Sequence, residues 1–333
     1  MSNLSFAGLG SCCALTPVYA VIGQVFAKKR PLVNNIVTTG SAIASIPLSV
    51  AAQLWIDWYG WRGSVLLIGG VLLQSLVCSV LTFNMANRCD AEMFGKKRKL
   101  FDLSLLKSTS FLMYCVACGF HLSSLTVVSV FLVRFAQSRG VSDLLAAGLS
   151  GVIGAVDTIL KPFTGYLFSL NKIGCCAVKR MLILSGCVVA QALTTFCLPF
   201  AYDYGSIVAC VVAYAACIGF NGALPLTVLA ELYGPEKLAT SLGLRSVSMG
   251  AFTMALSSLV GYYVEQTKNY SIPFFASTGA ALSAGLFFLL ANVCADISQK
   301  TTEISSISAK KGPTDEQPVF LEEAEPDNNK TQS

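Results

Sequence analysis

Charge is scarce in this chain. Only 12% of its 333 residues are Asp, Glu, Lys or Arg, while 54% are hydrophobic and the mean hydropathy is +0.65. Soluble domains carry roughly 25% charged residues, and a water-soluble globule needs polar groups to cover it, so an ordinary soluble fold is excluded. Histidine occurs once, at His121, which leaves no basis for a His-built metal centre or a Ser/His/Asp constellation, and no enzyme is expected. None of the thirteen Cys forms a CxxC pair followed by a second pair or by His, so they read as small apolar residues inside helices. There is no G-x-x-x-x-G-K-[ST] loop and no dinucleotide fingerprint, so neither an ATP-driven pump nor any bound cofactor is expected. The net charge of +5 is scattered over short loops and makes no nucleic-acid footprint. The N-terminus lacks a basic n-region and a cleavage site, so no secretory signal peptide is expected.

Long apolar runs are what the sequence has instead. A bilayer core of about 30 Å takes roughly 20 apolar residues per helix. Such runs fall near 6–26, 35–55, 64–83, 109–133, 144–170, 181–201, 206–230, 239–264 and 272–295. The expectation is an all-α polytopic membrane protein with about nine transmembrane helices. Gly and Pro inside the runs, such as Pro47, Pro162, Gly219 and Pro225, are tolerated where neighbouring helices take up the freed backbone groups and small residues let helices approach.

Lys and Arg set the orientation. Alternate loops and the tail carry 17 of them, among them Lys28, Lys29 and Arg30, the run Lys96–Lys99, and Lys179 with Arg180, against 4 on the other side at Arg62, Arg134, Arg139 and Lys268. This places the N-terminus outside and the C-terminus in the cytoplasm. Four segments follow: a three-helix remnant of one bundle at 1–83, a basic cytoplasmic loop at 84–108, a six-helix bundle at 109–296, and a polar tail at 297–333 expected to be disordered. Six-span halves are a common plan among transporters.

Several short motifs then point to a family. Phe26-Ala27-Lys28-Lys29-Arg30-Pro31-Leu32 resembles the aromatic-basic signature before the fifth helix of the monocarboxylate transporter family, in the major facilitator superfamily. Gly60-Trp61-Arg62-Gly63-Ser64 is similar to its junction before helix six, and Asp157-Thr158-Ile159-Leu160-Lys161-Pro162 to its helix-eight Asp-x-x-x-Arg-Pro motif. Gly234-Pro235-Glu236-Lys237 and Asn269-Tyr270-Ser271 fall where the family has similar loops. The resemblance covers nearly all of 8–295. It implies that the spans correspond to helices four to twelve, without the first three and their substrate-binding Lys, so that Met1 reads as an alternative start. It further implies a plasma-membrane carrier of monocarboxylates or related small organic solutes, with a single-span immunoglobulin-like glycoprotein as a chaperone. The competing expectation is a truncated, non-transporting membrane protein that binds or modulates partners.

The candidate substrate-binding residues are Asp157, Lys161, Arg245, Asn221 and Leu226. An ionisable group inside a bilayer costs roughly 2.5–3.5 kcal/mol and is a functional candidate by default. Asp157 and Lys161, at i and i+4, share a helix face. Lys161 would hold a substrate carboxylate, and Asp157 would take up a proton once its cation is engaged elsewhere; the structural alternative is an ion pair that only fixes packing. Lys161 stands where the family motif has Arg, and lacks the planar fork that grips a carboxylate, so a zwitterionic or neutral solute stays open. Arg245 either faces the passage or snorkels to the nearby cytoplasmic end, the latter being favoured. Asn221 and Thr227 line the path or bond between helices. Leu226 aligns near a bulky aromatic that shapes selectivity in lactate-carrying relatives, which implies a wider cavity. His121 is expected to serve helix packing.

Overall fold

A computed structural model describes residues 30–74, 80, 106–169, 177–222 and 224–310, the last thirteen of them by backbone alone. The described residues are helical, and no strand occurs among them. The helices are α1 (Arg30–Leu73), α2 (Thr109–Ser138), α3 (Asp143–Ser169), α4 (Ala177–Cys197), α5 (Tyr204–Asn221), α6 (Leu224–Thr267) and α7 (Ile272–Lys310), with a 3-10 turn at Leu198–Phe200.

Among the described residues, six segments are long and apolar enough to cross a membrane: Thr109–Ser138, Leu145–Phe168, Arg180–Phe200, Tyr204–Tyr233, Thr240–Thr267 and Ile272–Ile297. They coincide with the last six runs read from the sequence. The run at 6–26 lies outside the described residues, as do the loop at 84–105 and the tail beyond 310. The run at 35–55 falls on the first arm of α1 and residues 64–73 of the run at 64–83 on the second, the two arms being separated by an interruption at Gly60 (φ 68°, ψ 174°). That backbone conformation is open to glycine and strained for other residues.

Helix ends follow local chemistry. Beyond α2, Gly140 takes a left-handed conformation (φ 83°). Its N–H donates to the Gln137 carbonyl and that of Val141 to the Ala136 carbonyl, the paired bonds of a Schellman ending. Arg139 then donates to the Pro199 carbonyl at 2.8 Å and lies 4.7 Å over the Tyr202 ring, tying the α2–α3 turn to the end of α4. The most consequential break is between α5 and α6, inside the span Tyr204–Tyr233. Pro225 has no N–H to offer the carbonyl four residues back, at Asn221, and α5 stops at Asn221.

A second feature of α6 follows from its neighbours. The Tyr114 hydroxyl donates to the Pro225 carbonyl at 2.6 Å, and the Ser248 hydroxyl donates to the Cys115 carbonyl at 2.9 Å. In a straight helix Pro225 and Ser248 would lie about 35 Å apart. Since both meet one turn of α2, α6 doubles back between them, the spans on either side being Tyr204–Tyr233 and Thr240–Thr267.

α1 packs on α3, α3 on α5, α4 on α5, and α2 on α6. One apolar cluster joins Phe111, Tyr114, Met181, Leu184, Leu229 and Phe288; another joins Leu132, Phe135, Leu149, Tyr214 and Phe274. Lipid is as apolar as these side chains, so close packing and interhelical hydrogen bonds hold the bundle rather than transfer from water. Ser110 donates to the Ala291 carbonyl at 3.0 Å, Ser185 to the Gly285 carbonyl at 2.8 Å, and Ser124 pairs with Ser277 at 2.7 Å. His121 and Gln191 join α2 to α4 at 3.1 Å, the packing contact expected of that His.

Two features go beyond the sequence reading. Arg180, counted from the sequence among the loop cations, is buried and ion-paired with Glu231 of α6. The helix α7 runs on to Lys310, past the start of the polar tail at 297. A helix already nucleated in the bundle propagates at little cost, and the first Pro beyond it is Pro313.

Candidate functional site

Asp157 and Lys161 lie near the middle of the span Leu145–Phe168. Lys161 Nζ is 2.5 Å from Asp157 Oδ2, and each side chain is only 12% exposed. The pair does not look outward. It faces α5, where a Cβ on Gly219 would fall 2.8 Å from Leu160 Cβ and 3.8 Å from Asp157 Oδ1, and it meets Gly222, where a Cβ would fall 3.2 Å from Lys161 Cε. Glycine at both positions lets the backbone of α5 close over the pair.

α1 completes the junction. A Cβ on Gly222 would also stand 3.2 Å from Asn35 Oδ1, so Asn35 and Lys161 converge on one point from different helices. Asn35 Nδ2 donates to Thr164 Oγ1 at 3.3 Å. Thr164 Oγ1 lies 3.2 Å from the Gly219 carbonyl, serving an acceptor near the end of α5, where helix carbonyls lose their partners. The junction is incompletely matched: Asp157 Oδ1, Asn35 Oδ1 and both amide atoms of Asn221 are buried without a hydrogen-bond partner. Unmatched buried polar groups are uncommon and costly, and here they gather where a span is interrupted.

Arg245 behaves differently from the snorkelling expectation. Ser248 meets Cys115 and Phe252 packs on Gly119, so the second limb of α6 runs parallel to α2 in constant register, and a level side chain at 245 would meet α2 near residue 112. The Arg245 Nε instead donates to Cys118 Sγ at 3.4 Å. Cys118 is nine residues past Thr109, about 14 Å along α2, so the guanidinium points into the bundle and away from the near end. Leu226 is half-buried against the cluster around Tyr114 and Leu229, directly after the Pro225 carbonyl that Tyr114 holds. Thr227 is buried.

Of the residues singled out from the sequence, the structure pairs Asp157 with Lys161, sets Asn221 beside them at the end of α5, and puts Arg245 and Leu226 beside the neighbouring core; the sequence reading had paired only Asp157 with Lys161 and named the rest separately. It did not flag Asn35, Thr164, Gly219 or Gly222 as parts of that junction. A usable signal existed: Asn34-Asn35 is an amide pair in an apolar run, and Gly219 and Gly222 flank Asn221. No cluster of His, Cys, Asp and Glu suited to a metal ion occurs among the described residues.

Stacked apolar spans, one of them broken, around a mid-span ion pair define a polytopic helical membrane protein. The chain belongs to the Major Facilitator Superfamily, whose family model matches residues 4–257. Its relatives there include Monocarboxylate transporter 4 of Rattus norvegicus, 30% identical over 304 residues that cover 90% of this chain and 64% of that protein. Monocarboxylate transporter 3 of Rattus norvegicus is 29% identical, covering 95% and 65%, and Monocarboxylate transporter 6 of Mus musculus is 25% identical, covering 84% and 64%. The chain therefore spans less than two thirds of the length of these relatives.

Proposed function

We propose that the protein is a secondary transporter of small monocarboxylates or related organic solutes in the plasma membrane, working by alternating access, with Asp157 and Lys161 as the coupling pair. In this reading 1–83 belongs to one bundle and 109–296 forms the other, with the N-terminus outside and the C-terminus in the cytoplasm. The observation that carries it is the enclosed pair at mid-span with unmatched polar atoms around it. A fixed structural ion pair has no use for an interrupted helix beside it, whereas transporters place discontinuous helices at their binding sites.

The chemistry is an exchange of partners. A substrate carboxylate reaching Lys161 draws Nζ from Asp157 Oδ2, and Asp157, left in apolar surroundings, takes up a proton. Anion and proton then cross together with no net charge, and their release restores the pair. Asn35 Oδ1 and Asn221 offer hydrogen-bonding groups to the solute or to Lys161 during the exchange.

Uptake of labelled lactate, pyruvate, creatine and carnitine into proteoliposomes, with and without an inward proton gradient, tests this. Gradient-stimulated uptake of at least one is expected, and the stimulation is lost in Asp157→Asn. Failure to take up any of the four removes the transport reading and leaves a membrane protein that acts by binding partners. Uptake that Asp157→Asn leaves unchanged removes the role given to Asp157.

A further inference from the structure

Among the described cations of the spans that are not exposed, charge balance singles out one residue. Lys161 is neutralised by Asp157, and Arg180 by Glu231 near the ends of their spans. Arg245, in the span Thr240–Thr267, has no carboxylate within ion-pair distance among the described residues. Its one described hydrogen bond is to the Cys118 thiol, a weak acceptor, while a guanidinium presents five N–H donors in a planar fork. The other polar groups around it are engaged: Tyr114 with the Pro225 carbonyl, Ser248 with the Cys115 carbonyl, and His121 with Gln191. A cation held inside an apolar bundle without a counter-charge is costly, and here the side chain is directed inward although the end of its span is close.

We propose that Arg245 is a carboxylate-binding site, separate from the Asp157–Lys161 pair. With Nε held by Cys118, the two terminal nitrogens of the fork face outward together and match the two oxygens of one carboxylate. The surroundings set the substrate class. Leu226, Leu244, Met249 and Phe120 all pack on the same apolar cluster, which suits a short apolar tail. A second carboxylate would find no free cation there, so monocarboxylates are bound in preference to dicarboxylates. The two sites communicate through one segment, since Lys161 touches Gly222 and Tyr114, beside Arg245, holds Pro225. This inference rests on the proposed carriage of monocarboxylates and deepens it.

The test uses the full chain in lipid nanodiscs, with L-lactate, pyruvate, succinate and the neutral isostere lactamide as probes and heat stability as the readout. Lactate and pyruvate are expected to raise the unfolding temperature of the wild type and of the double variant Asp157→Asn/Lys161→Gln, and lactamide and succinate are not. Arg245→Gln is expected to raise the half-maximal lactate concentration at least about tenfold, or about 1.4 kcal/mol, and Arg245→Lys to recover part of it. A second readout guards against a misfolded variant: alkylation of Cys118 by N-ethylmaleimide, followed on its own peptide, is slowed by lactate in the wild type and not in Arg245→Gln. Equal stabilisation of Arg245→Gln and wild type, or no effect of any monocarboxylate on the wild type in either readout, overturns the site. If proteoliposomes take up nothing while both readouts respond, the site stands and the transport reading falls. Uptake that Arg245→Gln leaves untouched, with no lactate effect on Cys118, sinks the site alone.

Discussion

Asn35 of α1 and Thr164 of α3 are joined by a hydrogen bond of 3.3 Å at a point where the helices nearly touch: a Cβ on Gly165 would fall 2.8 Å from Asn35 Cβ. The same Thr164 hydroxyl reaches the Gly219 carbonyl, so one side chain ties three helices together one turn from Lys161.

The enclosure of the Asp157–Lys161 pair makes its members interdependent. Lys161→Gln alone leaves a carboxylate without its cation and is expected to destabilise the protein by about 3 kcal/mol, whereas removing both charges costs far less. Unfolding temperatures of Asp157→Asn, Lys161→Gln and the double variant in detergent give the coupling; additive losses would show the pair to be energetically idle.

The approach of α3 to α5 depends on Gly219. A methyl group there meets Leu160 Cβ at 2.8 Å, so Gly219→Ala is expected to force the helices apart at a cost of about 1–3 kcal/mol. Gly279→Ala, where nothing lies within 4 Å, serves as the comparison and is expected to be neutral. Equal stability of the two variants by heat unfolding would mean that the junction yields easily.

The Arg180–Glu231 pair joins the start of α4 to α6. Glu231→Gln leaves a buried guanidinium without its carboxylate and is expected to lower the unfolding temperature more than Arg180→Gln/Glu231→Gln does. Measuring both at low and at high salt separates this half-buried contact from a fully screened surface pair, which high salt would weaken to the level of the variants.

Hydropathy made the six spans of 109–297 legible, because a bilayer imposes one length on every crossing. The run expected at 144–170 is α3, and that at 272–295 begins where α7 begins. The Asp157–Lys161 contact was legible for a similar reason, since a helix fixes its own i,i+4 neighbours. What depends on the register between helices was not. Arg245 could be read as snorkelling because its depth along its own span is shallow; only the offset between α2 and α6 shows that the side chain runs inward. The Arg180–Glu231 pair, 51 residues apart, and the meeting of Asn35 with Lys161 across Gly222 have no local pattern to reveal them. Nor does the presence of Gly219 and Pro225 in an apolar run say whether a span kinks or stops.

The doubled-back α6 has a thermodynamic corollary. Because neighbouring residues of α2 fasten both of its limbs, neither limb can detach while that turn of α2 stays seated, and both lose an anchor when it lifts. Residues around Pro225 and around Ser248 therefore belong to one cooperative opening unit, and backbone amide exchange should give them a common free energy despite their separation along the chain.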